Sequence, residues 1–227
     1  MVRELVRMGL PAAFQNSVIS LGVLVLQVVV NTMGAQSMAA YTSATKIHQV
    51  ASQTMMSVGV AIGTFVGQNK GAERYERIRI GVRCGLVLTT VIGIIGCIVM
   101  HLFSKPLVSL FVSAGETEVL NISSLHLHTI SYFYILLGAL FVYRYALQGM
   151  GNAMIPMFSS FMEIIVRVPI CLLFYGVIHA GYVSVPIADS LTWTFTFAFL
   201  CFFFYRVYRH EKLVSDSMPS MGKEETV

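Results

Sequence analysis

The chain has 227 residues, 56% of them hydrophobic and 11% charged, with a formal net charge of +4. A soluble domain carries roughly 25% charged residues, so this composition cannot coat a water-facing globule and its excess apolar surface must face lipid. The basic balance does not point to nucleic acid, because every basic cluster abuts an apolar segment, where positive flanks set membrane orientation.

Six apolar segments, 8–33, 39–66, 80–103, 124–147, 157–179 and 187–208, are each long enough to cross ~30 Å of hydrocarbon. Together they predict an all-α membrane protein, a six-transmembrane-helix bundle occupying residues 1–210. Arg3 and Arg7 precede the first segment in the manner of a secretory signal. The apolar run then continues to Met33, longer than a signal core and without a small-residue cleavage pattern, so it reads as the first span. Along it Asn16, Ser20, Gln27 and Asn31 are spaced four, seven and four apart, which at 100° per residue puts them within about 60° of one another.

The second segment repeats the pattern. Thr42, Lys46, Gln49, Gln53 and Ser57 fall on one face within about 80°. Gly59, Gly63 and Gly67, and in the third segment Gly81 and Gly85, form small-x-x-x-small steps that let helix backbones approach closely. Ser104-Lys105-Pro106 reads as the break after the third segment. Leu107, Leu110 and Phe111 recur at helical spacing and predict a short interfacial piece within 106–121. The fourth segment carries Tyr132, Tyr143, Tyr145 and Gln148 without a clean stripe, and no acid. The fifth places Ser160, Glu163 and Arg167 at i, i+3 and i+7. Trp193, near one end of the sixth, is expected in an aromatic belt. Residues 211–227 are polar and charged and are expected to be a disordered cytoplasmic tail.

Twelve of the fifteen Lys and Arg fall on one side: Arg3, Arg7, Lys70, Arg74, Arg77, Arg79, Arg83, Arg144, Arg206, Arg209, Lys212 and Lys223. The other side has Lys105, beside Glu116 and Glu118. This asymmetry predicts both termini in the cytoplasm of a multi-pass plasma-membrane protein. Lys46 is expected to snorkel toward the outer surface. His101, His126, His128 and His179 are read as interfacial, and the four cysteines as small apolar residues.

Polar side chains in a span are costly unless they meet a partner or a cavity. Two readings of the stripes stand: hydrogen bonds between helices of the bundle, or one wall of a polar cavity for which Asn16, Ser20, Gln27, Asn31, Gln49, Gln53 and Tyr143 are the candidates. The Glu163–Arg167 pair likewise has two readings, a functional ion-coupling pair or a self-neutralising pair that pins a neighbouring helix. The sequence contains no Walker sequence, zinc-protease pattern or Ser-His-Asp arrangement. No enzyme activity, resident cofactor or metal is therefore expected, and energy for transport would come from an ion gradient or a partner.

Three segments carry a family resemblance: Met8-Gly9-Leu10-Pro11-Ala12, then Val66-Gly67-Gln68-Asn69-Lys70-Gly71-Ala72, then Ala146-Leu147-Gln148-Gly149-Met150-Gly151-Asn152 with Pro156 shortly after. In that order and spacing, the chain resembles the second six-helix half of a multidrug and toxic compound extrusion (MATE) transporter, over nearly all residues to about 210. The resemblance implies one lobe of a twelve-helix, pseudo-symmetric fold that alternates access and exports cationic or amphipathic compounds against Na+ or H+. It implies as partners the bilayer, a small-molecule cargo and a second six-helix lobe, supplied as a separate chain or by a homodimer. Some members place carboxylates in the first and fourth helices of this lobe; here neither helix has one, which leaves coupling to Glu163, coupling to the other lobe, or no ion coupling. The alternatives are a lipid or oligosaccharide flippase, for which Lys46 and Arg167 are the support, and a non-transporting fragment or membrane interaction module.

Overall fold

A computed structural model describes residues 2–113 and 115–217. Among these there is no strand. The helices are α1 (Val2–Thr32), α2 (Ala35–Gly71), α3 (Tyr75–Val108), α4 (Thr117–Ser131), α5 (Tyr134–Gly149), α6 (Met154–Leu172) and α7 (Ser184–Ser217). A π-helical stretch, Leu173–Val177, extends α6, and a 3-10 turn, Gly181–Val183, leads into α7. Five helical segments are long and apolar enough to span a membrane by themselves, and α4 with α5 makes a sixth.

That sixth span departs from the sequence reading. The expected single helix over 124–147 is two helices meeting at a bend of 56°. The turn is closed by Phe133 N–H donating to the Ile130 carbonyl (3.0 Å) and by Ser131 Oγ donating to His128 (2.8 Å). No Pro or Gly marks it, so the pattern reads through. The expected break at Pro106 is absent: α3 continues to Val108. A proline in the last turn removes only one late backbone bond there. Leu110 and Phe111 lie exposed in the turn that follows, not on a separate helix. At the other end α7 runs to Ser217, seven residues into the segment expected to be disordered; the rest of that tail, with Lys223, lies outside the described residues.

The bundle is held by close backbone approach and by one shared core. α2 packs most extensively on α5, and α6 packs on both α1 and α7. Gly63 and Gly149 make the closest passage of α2 and α5: a Cβ at Gly149 would come within 2.2 Å of the Gly63 carbonyl oxygen. Met55, Leu127, Ile130, Tyr134, Leu140 and Leu147 fill the centre. Trp193 belongs to this core rather than to an interfacial belt; it is buried and stacked on His48, ring centres 5.3 Å apart. His48 Nδ1 in turn lies 3.2 Å from the Tyr134 hydroxyl.

The two ends of the bundle are built differently. At the end where α2, α5 and α7 finish, Lys70 Nζ donates to the Met150 carbonyl (2.6 Å) and pairs with Glu211 (3.0 Å). Tyr208 donates to the Tyr75 carbonyl (3.2 Å), and Lys212 pairs with Glu76. The Lys212 ammonium holds the Glu76 carboxyl below its ordinary range, and the carboxylate in return holds Lys212 above its own. The Val66–Ala72 and Ala146–Asn152 segments therefore touch in space. At the opposite end Lys46 Nζ lies over the Phe111 ring, 5.5 Å from its centre.

Candidate functional site: an exposed polar face and a buried ion-pair ladder

On α1, Asn16, Ser20 and Asn31 are exposed and Gln27 is half-buried. On α2, Thr42, Lys46, Gln49, Gln53 and Ser57 are all exposed. Their hydroxyls bond within their own helices, Ser20 to the Asn16 carbonyl (3.0 Å) and Ser57 to the Gln53 carbonyl (2.9 Å). No hydrogen bond among the described residues runs from either stripe to another helix.

The helix-to-helix bonds of α1 and α2 come from other positions. Gln15 is buried and accepts from Gln148 Nε2 of α5 (3.1 Å). Ser123 of α4 donates to the Ala40 carbonyl (3.3 Å). Bonds within the lobe therefore do not account for the stripes, which are presented outward. Tyr143 does not join them. It is buried between α5 and α7, against Phe197, Phe204 and Tyr205.

Glu163 and Arg167 are buried well inside, apart from both stripes. Glu163 accepts from Arg144 of α5 through one carboxylate oxygen. Its other oxygen lies 3.9 Å from Arg167, one turn along α6. Arg167 Nε sits 3.1 Å from Asp189 of α7. Gly22 of α1 makes room for this guanidinium, since a Cβ there would come within 2.8 Å of Arg167 Nη1. The result is a ladder of alternating sign, Arg144, Glu163, Arg167 and Asp189, that ties α5, α6 and α7 together with zero formal charge. Tyr41 and Tyr182 lie within electrostatic reach of Asp189. The Tyr182 hydroxyl is 3.1 Å from His126 Nδ1, which carries the polar chain on to α4.

Two ladder members depart from the sequence reading. Arg144 counts there among the basic flanks, but it is buried and ion-paired. Its closeness to the Ala146–Asn152 turn makes it look like a flank residue. Asp189 goes unremarked, although an ionisable residue inside a span is a signal in its own right; its position just inside the start of the sixth segment hides it. His101 and His128 stack with ring centres 4.6 Å apart, and His128 Nε2 lies 2.9 Å from Ser104 Oγ.

Chemically, the two regions can do different things. The exposed stripes offer amides and hydroxyls but no carboxylate, so they can line a path for a polar or amphipathic solute. The ladder balances its own charge. A cation or proton engaging Glu163 would have to displace a guanidinium.

The MatE family model matches residues 11–173. The probable multidrug resistance protein NorM of Thermotoga maritima is 29% identical over 162 residues, 71% of this chain and 34% of that protein. The probable multidrug resistance protein YoeA of Bacillus subtilis is 28% identical over 160 residues, 70% of this chain and 34% of its own length. This chain thus spans about a third of the length of these curated relatives. Among solved structures it superposes on a MATE protein in the bent conformation with a TM-score of 0.88 at 17% identity, covering 95% of this chain and 48% of that one. It also superposes on an outward-facing multidrug resistance MATE transporter with a TM-score of 0.81 at 20% identity, covering 96% and 48%. The corresponding inward-facing structure gives 0.81 at 16% identity, covering 96% and 50%. In each case the match is to about half of a larger bundle, and this chain, one six-helix lobe in fold, belongs to the MATE family.

Proposed function

We propose that this lobe works as one half of a secondary active transporter, the second half in order, that exports cationic or amphipathic small molecules by cation antiport with alternating access. The carrying observation is the outward presentation of the polar stripes of α1 and α2, whose amides hydrogen-bond to no other helix among the described residues. Five amide side chains, Asn16, Gln27, Asn31, Gln49 and Gln53, held against hydrocarbon would be costly, whereas a second six-helix lobe set opposite them encloses a polar cavity. Asn16, Ser20, Gln27, Asn31, Gln49 and Gln53 line it. That relatives are named multidrug resistance proteins, and that the fold is shared by outward- and inward-facing structures, supports this reading. The coupling ion is Na+ or H+. In this lobe the ladder bearing Glu163 and Arg167 is the element that would respond to it, because the stripes contain no acid.

The basic end, where Lys70, Arg74, Arg77, Arg79 and Arg83 gather, faces the cytoplasm in this scheme, within the plasma membrane. For the flippase alternative, Arg167 is already paired with Glu163 and Asp189, which leaves the exposed Lys46 as its support. Ethidium efflux from cells lacking other exporters tests the proposal. The chain paired with a complementary six-helix lobe should lower ethidium accumulation, and Gln49→Leu with Gln53→Leu should abolish that effect. An unchanged accumulation in the paired arrangement overturns it.

A further inference from the structure

A groove of about 400 Å³ runs between α6 and α7, lined by Ile155, Phe158, Phe161 and Ile165 on one side and Phe199 and Phe203 on the other. Its lining is aliphatic and aromatic, unlike the amide-bearing stripes of α1 and α2. From Ile155 to Ile165 the groove follows about 15 Å of helix, half of a ~30 Å hydrocarbon core and so the depth of one leaflet. That leaflet is on the basic side, where α6 begins and α7 ends.

Continuing along α7, Arg206 falls within about 60° of both Phe199 and Phe203 by helical rotation, roughly one turn beyond the groove. It is exposed, and no carboxylate among the described residues pairs with it. An apolar slot of leaflet depth that ends in a guanidinium with no carboxylate partner among the described residues matches a lipid with an acyl chain and a phosphate.

We infer that the α6–α7 groove is a binding site for an anionic phospholipid of that leaflet, with an acyl chain against the phenylalanines and the headgroup phosphate on Arg206. A second lobe is the poorer occupant, because the face that requires a polar partner is on α1 and α2. The site rests on the chain being embedded in a bilayer and does not depend on the transport assignment.

The test uses the full chain carrying Phe161→Trp, reconstituted in bilayers containing brominated phosphatidylglycerol or brominated phosphatidylcholine. The native Trp193 is buried and provides the background. One basic residue near the surface favours the anionic lipid by about fivefold, so phosphatidylglycerol should quench the new tryptophan at about one fifth of the mole fraction that phosphatidylcholine needs. Arg206→Gln should erase that preference. Arg79→Gln, on α3, should leave it intact, and added inorganic phosphate should not change it. Equal quenching by the two lipids, preference surviving Arg206→Gln, or loss of preference on adding inorganic phosphate would each overturn the inference. So would a tryptophan that neither lipid quenches, which would mean that protein covers the groove.

Discussion

The α1–α2 pair and the α5–α6–α7 cluster both place polar groups at membrane depth, and they resolve the cost in opposite ways. In the cluster every charge is matched: Arg144 to Glu163, and Arg167 to Glu163 and Asp189, all within one lobe. In the two stripes of the pair the polar side chains turn outward, and the hydroxyls among them bond along their own helices. A charge-balanced network ties helices of the lobe to one another. An outward polar face is complete only with something opposite it. Polarity in a span therefore divides into parts that build the lobe and parts presented outside it, and burial separates the two.

The sharpest way to break that comparison is to open the ladder. Glu163→Leu leaves two buried guanidiniums against one carboxylate, and removing one member of a buried pair costs about 3–5 kcal/mol. Thermal unfolding in detergent should show this loss, while Arg144→Met combined with Glu163→Leu should recover most of it, because the Arg167–Asp189 contact remains. A double variant as unstable as the single one would show that the charges are not paired as described.

The next effect concerns the passage of α2 against α5. Gly149→Ala places a Cβ against the Gly63 carbonyl, and such overpacking costs about 1–3 kcal/mol, readable in the same unfolding measurement. On the exposed face the expectation reverses. Gln49→Leu with Gln53→Leu should change stability by less than about 0.5 kcal/mol while ethidium efflux by the paired transporter falls to background.

The smallest effect is at the basic end. The depressed Glu76 carboxyl contributes its contact above the ordinary carboxylate range and loses it as pH falls through the depressed value. The raised Lys212 contributes its share below the ordinary lysine range and loses it as pH rises through the raised value. Hydrogen exchange over the last turns of α7 should be slowest between those limits, and Glu76→Gln should flatten the dependence.

Much of the architecture was legible because lipid imposes a strict rule of length and apolarity. Asn16 through Asn31 and Thr42 through Ser57 announced themselves by spacing alone, since periodicity is a property of one helix. What periodicity does not carry is the partner. Arg144 and Asp189 lie on different helices from Glu163, so their pairing needs the packed bundle, and each sits near a segment end where it resembles a flank. Tyr143 illustrates the same limit: an aromatic hydroxyl in a span suits either a cavity or a core, and only contact with Phe197 and Phe204 decides. The bend between Ser131 and Tyr134 had no Pro or Gly to reveal it, and Pro106 suggested a break that its place in the last turn of α3 makes harmless.

The central claim is that the stripes face a polar path, and cysteine accessibility tests it most directly. In a background with Cys84, Cys97, Cys171 and Cys201 replaced, single cysteines at Asn16, Asn31, Gln49 and Gln53 are compared with cysteines at Val87, Ile94 and Ile98, apolar residues exposed on α3. The assembled transporter in a bilayer is treated with a membrane-impermeant thiosulfonate. Modification at the four stripe positions with none at the three α3 positions is the predicted result. Equal protection of both sets would place the stripes in lipid or in a dry contact and contradict the account.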